Sequence, residues 1–476
     1  MLPETAAAWA SALLALAVAA AAVAAAAHAV LTKRDVRAAI GWVGLVLAFP
    51  LVGPVLYTLF GINRIRRRAV ALRHGRPREA AAAASEGEGV GRDGRLAALA
   101  DLVGRVTGEH LLAGNSLQTL VDGEETYPAM LAAIDGAGAS VTLCTYIFDN
   151  DATGKAFQAA LARAVRRGVA VRVLIDGVGA RYSFPPTRRA LRAAGVPVAI
   201  FLPTLLPWRM PYVNLRTHRK MLVADGRTAF VGGLNIRHEH VVGAGTAHPI
   251  RDLHFRLEGP AVAQVQRLFS ADWELATGER LEGRTWFPPL AAAGALWARV
   301  VPDGPDEDLD QLRWTLLGAL SAAERSVRIV TPYFLPDTDL VTALALAALR
   351  GVEVDILLPE RNNLLLVGWA MNAQLPQVLE PGCRVWLTPP PFDHAKLLVV
   401  DGRWSLVGSF NWDPRSLRLN FELGLEVHGG ETAARLEALA AERRSAARRL
   451  TLDELRHRPL PARLRDGAAW LAQPYL

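Results

Sequence analysis

The sequence predicts an α/β protein of two pseudo-symmetric repeats, with mixed sheets flanked by helices, preceded by an N-terminal transmembrane helical hairpin. Three observations lead to this. Two long stretches without Asp, Glu, Lys or Arg lie near the start, at 6–31 and 38–61. A strand–helix–strand pattern at 140–177 returns at 326–360. One combination of His, Lys, Asp, Gly and Asn stands at the same spacing in 217–235 and 393–411.

Each apolar stretch exceeds the roughly 20 residues that cross a bilayer as a helix. A cleaved signal peptide fits the first one poorly, because its leading residues carry Glu4 and no Lys or Arg, and a second apolar stretch follows at once. Buried core helices fit worse still, since two consecutive uncharged spans are hard to place in a soluble fold. "NRIRRRAVALRHGRPR", residues 63–78, comes next. Such basic clusters stay on the cytoplasmic side, so the main body is expected there, although Lys33, Arg34 and Arg37 make the preceding loop basic too. Residues 1–78 thus read as hairpin and basic segment, and 79–95 as an Ala-, Gly- and Glu-rich flexible linker.

Charge sharpens this division. The net charge is +7, yet residues 1–80 alone hold 10 Lys/Arg and 3 Asp/Glu, leaving 43 of each sign downstream (53 − 10 and 46 − 3). A neutral main body speaks against a nuclease with a basic groove. Cys144 and Cys383 are the only cysteines and form no C-x-x-C pair, so they read as core thiols.

Beyond the linker the chain repeats. "SVTLCTYIFDNDATGKAFQAALARAVRRGVAVRVLIDG" and "SVRIVTPYFLPDTDLVTALALAALRGVEVDILLPE" each give a β-rich run, a turn with Asp, an amphipathic helix ending in Arg-Gly, and a second apolar strand. That is a βαβ crossover, which implies parallel strands. The intervals from Asp176 to His218 and from Pro359 to His394, 42 and 35 residues, leave room for a further helix and short strand. "DLHFRLEG" from Asp252 and "ELGLEVHG" from Glu422 both open with an acid and alternate apolar residues, the mark of a strand. The repeats are expected at 96–285 and 286–476.

In "HRKMLVAD" the β-favouring run suggests a strand that turns His218 and Lys220 to one face; His394 and Lys396 follow suit. Asp225-Gly226 and Asp401-Gly402 should close hairpins whose returning strands bring Asn235 and Asn411 back, with Gly232 and Gly408 keeping space near a ligand. Two imidazoles, two ammonium groups and two amides at one spot suit a phosphodiester. One histidine can attack phosphorus while the other protonates the leaving oxygen. The lysines and asparagines can hold the non-bridging oxygens, and no metal or cofactor is required.

These two H-x-K-x4-D-x6-G-[GS]-x-N motifs resemble the phospholipase D superfamily. Together with "PLVGPVLYTLFGINRIRRR", "IRDLHFRLEGPAV", "TPYFLPD" and "FNWDPRSLRLNFELGLEV", they make the chain look like the bacterial cardiolipin synthases within it. The resemblance implies two phospholipase D-like repeats sharing one site, a bacterial inner-membrane location, and phosphatidyl transfer between two phosphatidylglycerols through a phosphohistidine, with release of glycerol. It makes His218 the nucleophile and His394 the general acid. Lys220, Lys396, Asn235 and Asn411 would bind phosphate, and Asp252 and Glu422 would orient the histidines. Asp225 and Asp401 complete the catalytic motifs and are expected to brace the hairpins. One departure stands out: Gly233 replaces the Ser409 of the second motif, so a hydroxyl expected near the phosphate is missing from the first.

The resemblance leaves a phospholipase D-type hydrolase, or a transphosphatidylase with another donor or acceptor, as the alternative. A catalytically silent scaffold is disfavoured by the intact pairs of His, Lys and Asn. His238 and His240 are read as part of a loop at the site mouth and not as a metal pair. The apolar runs 201–212 and 362–371 suggest either a lipid entrance, with Trp208 and Trp369 in the headgroup layer, or ordinary core packing. Arg415 is a candidate for a headgroup phosphate.

Overall fold

The computed structural model describes residues 2–33, 36–61, 94–203, 215–306 and 308–473. It forms two compact units, residues 1–68 and 69–476. The basic segment 63–78, the linker up to residue 93 and Trp208 lie outside the described residues.

In the first unit one helix, Leu2–Thr32, is long; its Ala8–Thr32 part, of mean hydropathy 2.3, is long and apolar enough to cross a membrane. The second apolar stretch is not one helix, contrary to expectation. Val36–Ala48 ends before Pro50, and the chain restarts as the short helix Gly53–Leu56 followed by a π turn, Tyr57–Gly61. Pro50 and Pro54 lack the N–H a continuous helix needs. Thirteen residues reach about 20 Å, short of a hydrocarbon core of about 30 Å. Ala22, Ala29, Val46 and Tyr57 pack the pieces together, and the Tyr57 hydroxyl meets His28 Nδ1 at 2.8 Å.

The main body holds one 16-stranded mixed sheet. Its first repeat contributes β1 (Leu112–Val121), β2 (Ser140–Thr145), β3 (Ala170–Asp176), β4 (Val198–Phe201), β5 (Arg216–Thr217), β6 (Met221–Ala224), β7 (Thr228–Gly232), β8 (Ile250–Arg251) and β9 (Leu253–Glu258). The second contributes β10 (Leu296–Asp303), β11 (Ser326–Val330), β12 (Glu353–Pro359), β13 (Arg384–Thr388), β14 (Phe392–Asp393), β15 (Leu397–Val400), β16 (Trp404–Gly408), β17 (Asn420–His428) and β18 (Arg448–Leu450). Read outward from the middle, the orders match: β1-β9-β7-β6-β2-β3-β4 and β10-β17-β16-β15-β11-β12-β13, the second extended by β18. An antiparallel β1–β10 pair joins the halves.

Both crossovers are as expected. β2 and β3 are parallel, with Cys144 opposite Leu174, and β11 and β12 are parallel, with Val330 opposite Leu357. Their helices, Ala152–Arg166 and Thr338–Leu349, start at Asp151 and Asp337, whose carboxylates accept the backbone N–H of Gly154 and Leu340. Each repeat buries its own core, around Leu143, Phe157, Val173 and Phe230 in one and Ile329, Leu344, Ile356 and Trp404 in the other. Cys144 and Cys383 are buried free thiols.

Two short pairings cross between the repeats and prepare the site. β5 runs parallel to the start of β17, Arg216 opposite Asn420, and β14 runs parallel to β8, Phe392 opposite Ile250. Each pairing lies just before a motif histidine.

Candidate active site

The segment from Arg216 to Ala224 is extended because β5 is held by β17, and the apolar run Met221–Ala224 is held between β2 and β7. His218 donates its backbone N–H to Phe421 O at 2.9 Å, and His394 donates its own to Arg251 O at 2.8 Å. Each imidazole therefore stands on backbone fastened to the opposite repeat.

The acids that hold the rings are exchanged in the same way. His218 Nδ1 lies 2.9 Å from Glu422 Oε1, and His394 Nδ1 lies 2.7 Å from Asp252 Oδ2. Both acids are fully buried. With Nδ1 engaged, Nε2 is the ring nitrogen left for chemistry. Both histidines line one cavity of about 310 Å³, together with Asn235 and Asn411.

Burial keeps both imidazoles neutral: His218 is lowered and His394 lies well below its ordinary value. Their acids differ. Burial raises Asp252 above the usual carboxylate range. Burial also opposes the Glu422 charge, but attraction to His218 and Lys220 and the hydrogen bonds it accepts outweigh it, so Glu422 stays below that range. Those bonds come from Ser409 Oγ (2.5 Å), Ser416 Oγ (2.9 Å) and Asn420 Nδ2 (3.2 Å) besides His218.

The lysines lie under the histidines. Lys220 Nζ donates to His218 O at 2.8 Å, and Lys396 Nζ donates to His394 O. Each is 2% exposed, and burial lowers Lys220 to about 7 and Lys396 to about 8. Asn235 Oδ1 accepts the Ile147 N–H at 3.1 Å; Asn411 Nδ2 donates to Ser416 Oγ at 3.2 Å while its Oδ1 is buried with no partner among the described residues.

Several expected site residues fall elsewhere. Asp225 and Asp401 do not join the cluster. Strands β6 and β15 carry them to the far ends of their hairpins, where they accept the N–H groups of Gly138, Ala139 and Ser140, and of Glu324, Arg325 and Ser326. Gly232 and Gly408 make room for neighbouring backbone, not for a ligand: a Cβ would stand 2.6 Å from Leu253 O and 2.0 Å from Leu423 O. The Ser409 hydroxyl is not aimed at a phosphate but at Glu422, and Gly233 is required because a Cβ there would lie 2.2 Å from Asp252 Oδ1. His240 lines the cavity, whereas His238 Nδ1 turns to Thr153 Oγ1 at 3.1 Å. Among the described residues no group of three or more His, Cys, Asp or Glu side chains is arranged to hold a metal ion. Trp369 packs at the core margin, 4.5 Å from the Arg465 guanidinium, while Leu364, Leu365 and Leu366 are the exposed apolar side chains of that run.

Missed from the sequence were Tyr146, Tyr333 and Arg216 on the cavity wall, and Arg219 beneath it. Arg219 is wholly buried; it donates to Asp272, to Glu422 O and to Asp303 O, and so ties the repeats together. Its place between His218 and Lys220, facing the opposite way, was a usable signal. Neutral imidazoles with free Nε2 atoms, backed by ammonium and amide donors, can form and break a phosphorus–nitrogen bond.

Comparison with known proteins identifies the family. The family model described as cardiolipin synthase, phospholipase D-like domain, matches residues 130–273 and 316–443, and one described as phospholipase D-nuclease N-terminal matches 20–61. The chain is similar to the cardiolipin synthase of Geobacillus kaustophilus, 31% identical over 94% of this chain and 90% of the relative. It is similar to the major cardiolipin synthase of Bacillus subtilis, 31% over 93% and 95%, and to cardiolipin synthase A of Pseudomonas putida, 32% over 90% of each. Among solved structures, the phosphatidylserine synthase of Haemophilus influenzae shares the fold, with a TM-score of 0.62 at 17% identity, over 80% of this chain and all of that one.

Proposed function

The chain belongs to the phospholipase D-like cardiolipin synthase family of phosphatidyltransferases, and on that premise we propose that it joins two phosphatidylglycerol molecules into cardiolipin and glycerol. The observation that carries this reading is the pair of carboxylate-held imidazoles lining one cavity.

In the first step His218 Nε2 attacks the phosphorus of one phosphatidylglycerol. The bond from phosphorus to the headgroup glycerol oxygen breaks, and His394 gives that oxygen a proton. In the second step a hydroxyl of another phosphatidylglycerol attacks the phosphohistidine, His394 takes the proton, and His218 is released. The contrast between the acids supports this order. Burial keeps His218 neutral, and Glu422, held ionised by four donors, accepts its Nδ1–H and so leaves Nε2 ready to attack. Asp252, raised by burial, shares a proton with His394 more readily. Burial favours the neutral form of His394, and the negative charge of a bound phosphate offsets that effect. Lys220, Lys396, Asn235 and Asn411 stabilise the charge on the non-bridging oxygens.

The protein associates with a membrane, in keeping with its relatives and its long apolar helix. The finer reading is a multi-pass protein of the bacterial inner membrane with its repeats, 96–285 and 286–476, in the cytoplasm. The neutral charge beyond residue 80 favours lipid over nucleic acid as partner. Purified protein in phosphatidylglycerol vesicles should release glycerol and cardiolipin in equal amounts. Phosphatidic acid as sole product would make water the acceptor and the protein a hydrolase.

A further inference from the structure

One wall of the cavity carries polar groups that the two-histidine scheme leaves unused. Arg216, two residues before His218, is 3% exposed. Its Nη1 donates to Leu215 O at 2.9 Å and its Nε lies 4.0 Å from Asp176 Oδ1, but Nη2 is buried without a hydrogen-bond partner among the described residues. Its register partner across the β5–β17 pair is Asn420. Asn420 Nδ2 goes to Glu422, while Oδ1 is also buried and unpaired. A donor and an acceptor, each without a partner among the described residues, thus belong to two register partners that both line one cavity. Buried polar groups are seldom left so unless something else pairs with them.

The surrounding charge indicates what that is. Arg415 lines the same cavity, and the charges of Arg415 and Arg181 both act on Arg216. Two acids face this wall. Asp176 is engaged by the backbone N–H groups of Val178, Gly179 and Thr217. Asp413 takes the Ser416 N–H and is pushed up to about 7 by burial, which lightens its opposition to an anion. The position equivalent to Arg216 in the second motif, two before His394, is Phe392, which lines the cavity with Tyr333, Leu335, Leu364 and Val367. The motifs are matched, but their flanks are not: the cation of the cavity lining whose charge acts on His394, Arg237, is already paired with Asp149 and Glu239.

We propose that this wall is the subsite for the glycerophosphate headgroup of the acceptor lipid, with Arg216 and Arg415 taking the acceptor's own non-reacting phosphate and Asn420 Oδ1 accepting from its glycerol hydroxyl. The assignment rests on phosphatidylglycerol being the acceptor. The donor's phosphate is served by the lysines and the other two asparagines, and its leaving glycerol carries no anion; only the acceptor brings a second phosphate. As its terminal hydroxyl oxygen bonds to phosphorus, the P–Nε2 bond to His218 breaks, the electron pair returns to Nε2, and the proton passes to His394 Nε2. The acceptor's own phosphodiester is untouched.

The full chain in phosphatidylglycerol vesicles containing 1-butanol tests this, because cardiolipin and phosphatidylbutanol then leave from one phosphohistidine. Their ratio does not depend on how fast that intermediate forms. Arg216→Gln should lower the ratio of cardiolipin to phosphatidylbutanol about tenfold, the loss expected for one charge-assisted hydrogen bond, and Arg216→Lys should recover part of it. Arg415→Gln should move the ratio the same way and serves where Arg216→Gln folds poorly. An unmoved ratio in both variants overturns the subsite, including the case in which Arg216 serves the reacting phosphate and slows both products alike. A wild type that makes phosphatidylbutanol but no cardiolipin overturns the acceptor reading and the subsite together.

Discussion

Glu422 reaches His218 Nδ1 with both carboxylate oxygens, at 2.9 and 3.0 Å, across 204 residues of sequence. Asp252 returns the contact in the other direction, to His394. Each motif is therefore finished by an acid from the other repeat, and by backbone as well, since His218 and His394 donate their N–H groups to Phe421 O and Arg251 O. Neither repeat alone contains an oriented histidine.

This exchange sets the effects of the acids. Glu422→Gln should impair the histidine of the first motif, and Asp252→Asn that of the second, each lowering kcat by about 10²- to 10⁴-fold with little change in KM. Labelled phosphatidylglycerol should leave less phosphohistidine on the Glu422→Gln protein. Undiminished labelling in that variant would contradict its hold on the nucleophile.

The order of the histidines is open to a leaving-group test. A phosphatidyl ester of p-nitrophenol needs no protonation to depart, so His394→Ala should still release p-nitrophenolate in a single burst, whereas His218→Ala should release none. Reversed behaviour would exchange the two roles.

The buried lysines predict an alkaline fall in kcat/KM. Lys220 and Lys396, lowered to about 7 and about 8, carry charge below those values and lose it above them. His218, lowered from 6.5, stays neutral throughout. A rate profile at constant vesicle charge should therefore decline as pH rises from 7 to 8. A flat profile through pH 9 would mean that the lysines remain charged or are dispensable.

The unequal motifs should not be interchangeable. Gly233→Ser puts a side chain where Asp252 Oδ1 lies, displacing the acid from His394, and should cost at least about 10²-fold in kcat. Ser409→Ala removes one of several hydrogen bonds to Glu422 and should cost about tenfold or less. Steady-state rates of the two variants would decide; a harmless Gly233→Ser would show that the first motif tolerates a hydroxyl.

Much of the architecture was legible along the chain. The crossovers followed from apolar period and turn residues, and β9 and β17 from the alternation after Asp252 and Glu422. Pro50 and Pro54 carried a readable warning that the second apolar stretch would break, which its composition masked. Asp225 illustrates the opposite difficulty: five residues after Lys220 it belongs to the same motif, yet a four-residue strand puts it at the other end of the hairpin.

By itself the sequence determined the duplication, the chemistry of the motif side chains and the apolar leader, because these rest on residue type and on backbone periods that repeat within a few positions. The tertiary structure alone decided which acid holds which histidine, why Gly233 and Ser409 differ, and why Arg216 Nη2 has no partner among the described residues. Those relations span 204 residues for Glu422 and His218 and 142 for Asp252 and His394. They are set by how β1 and β10 dock the two sheets edge to edge, which no local propensity encodes.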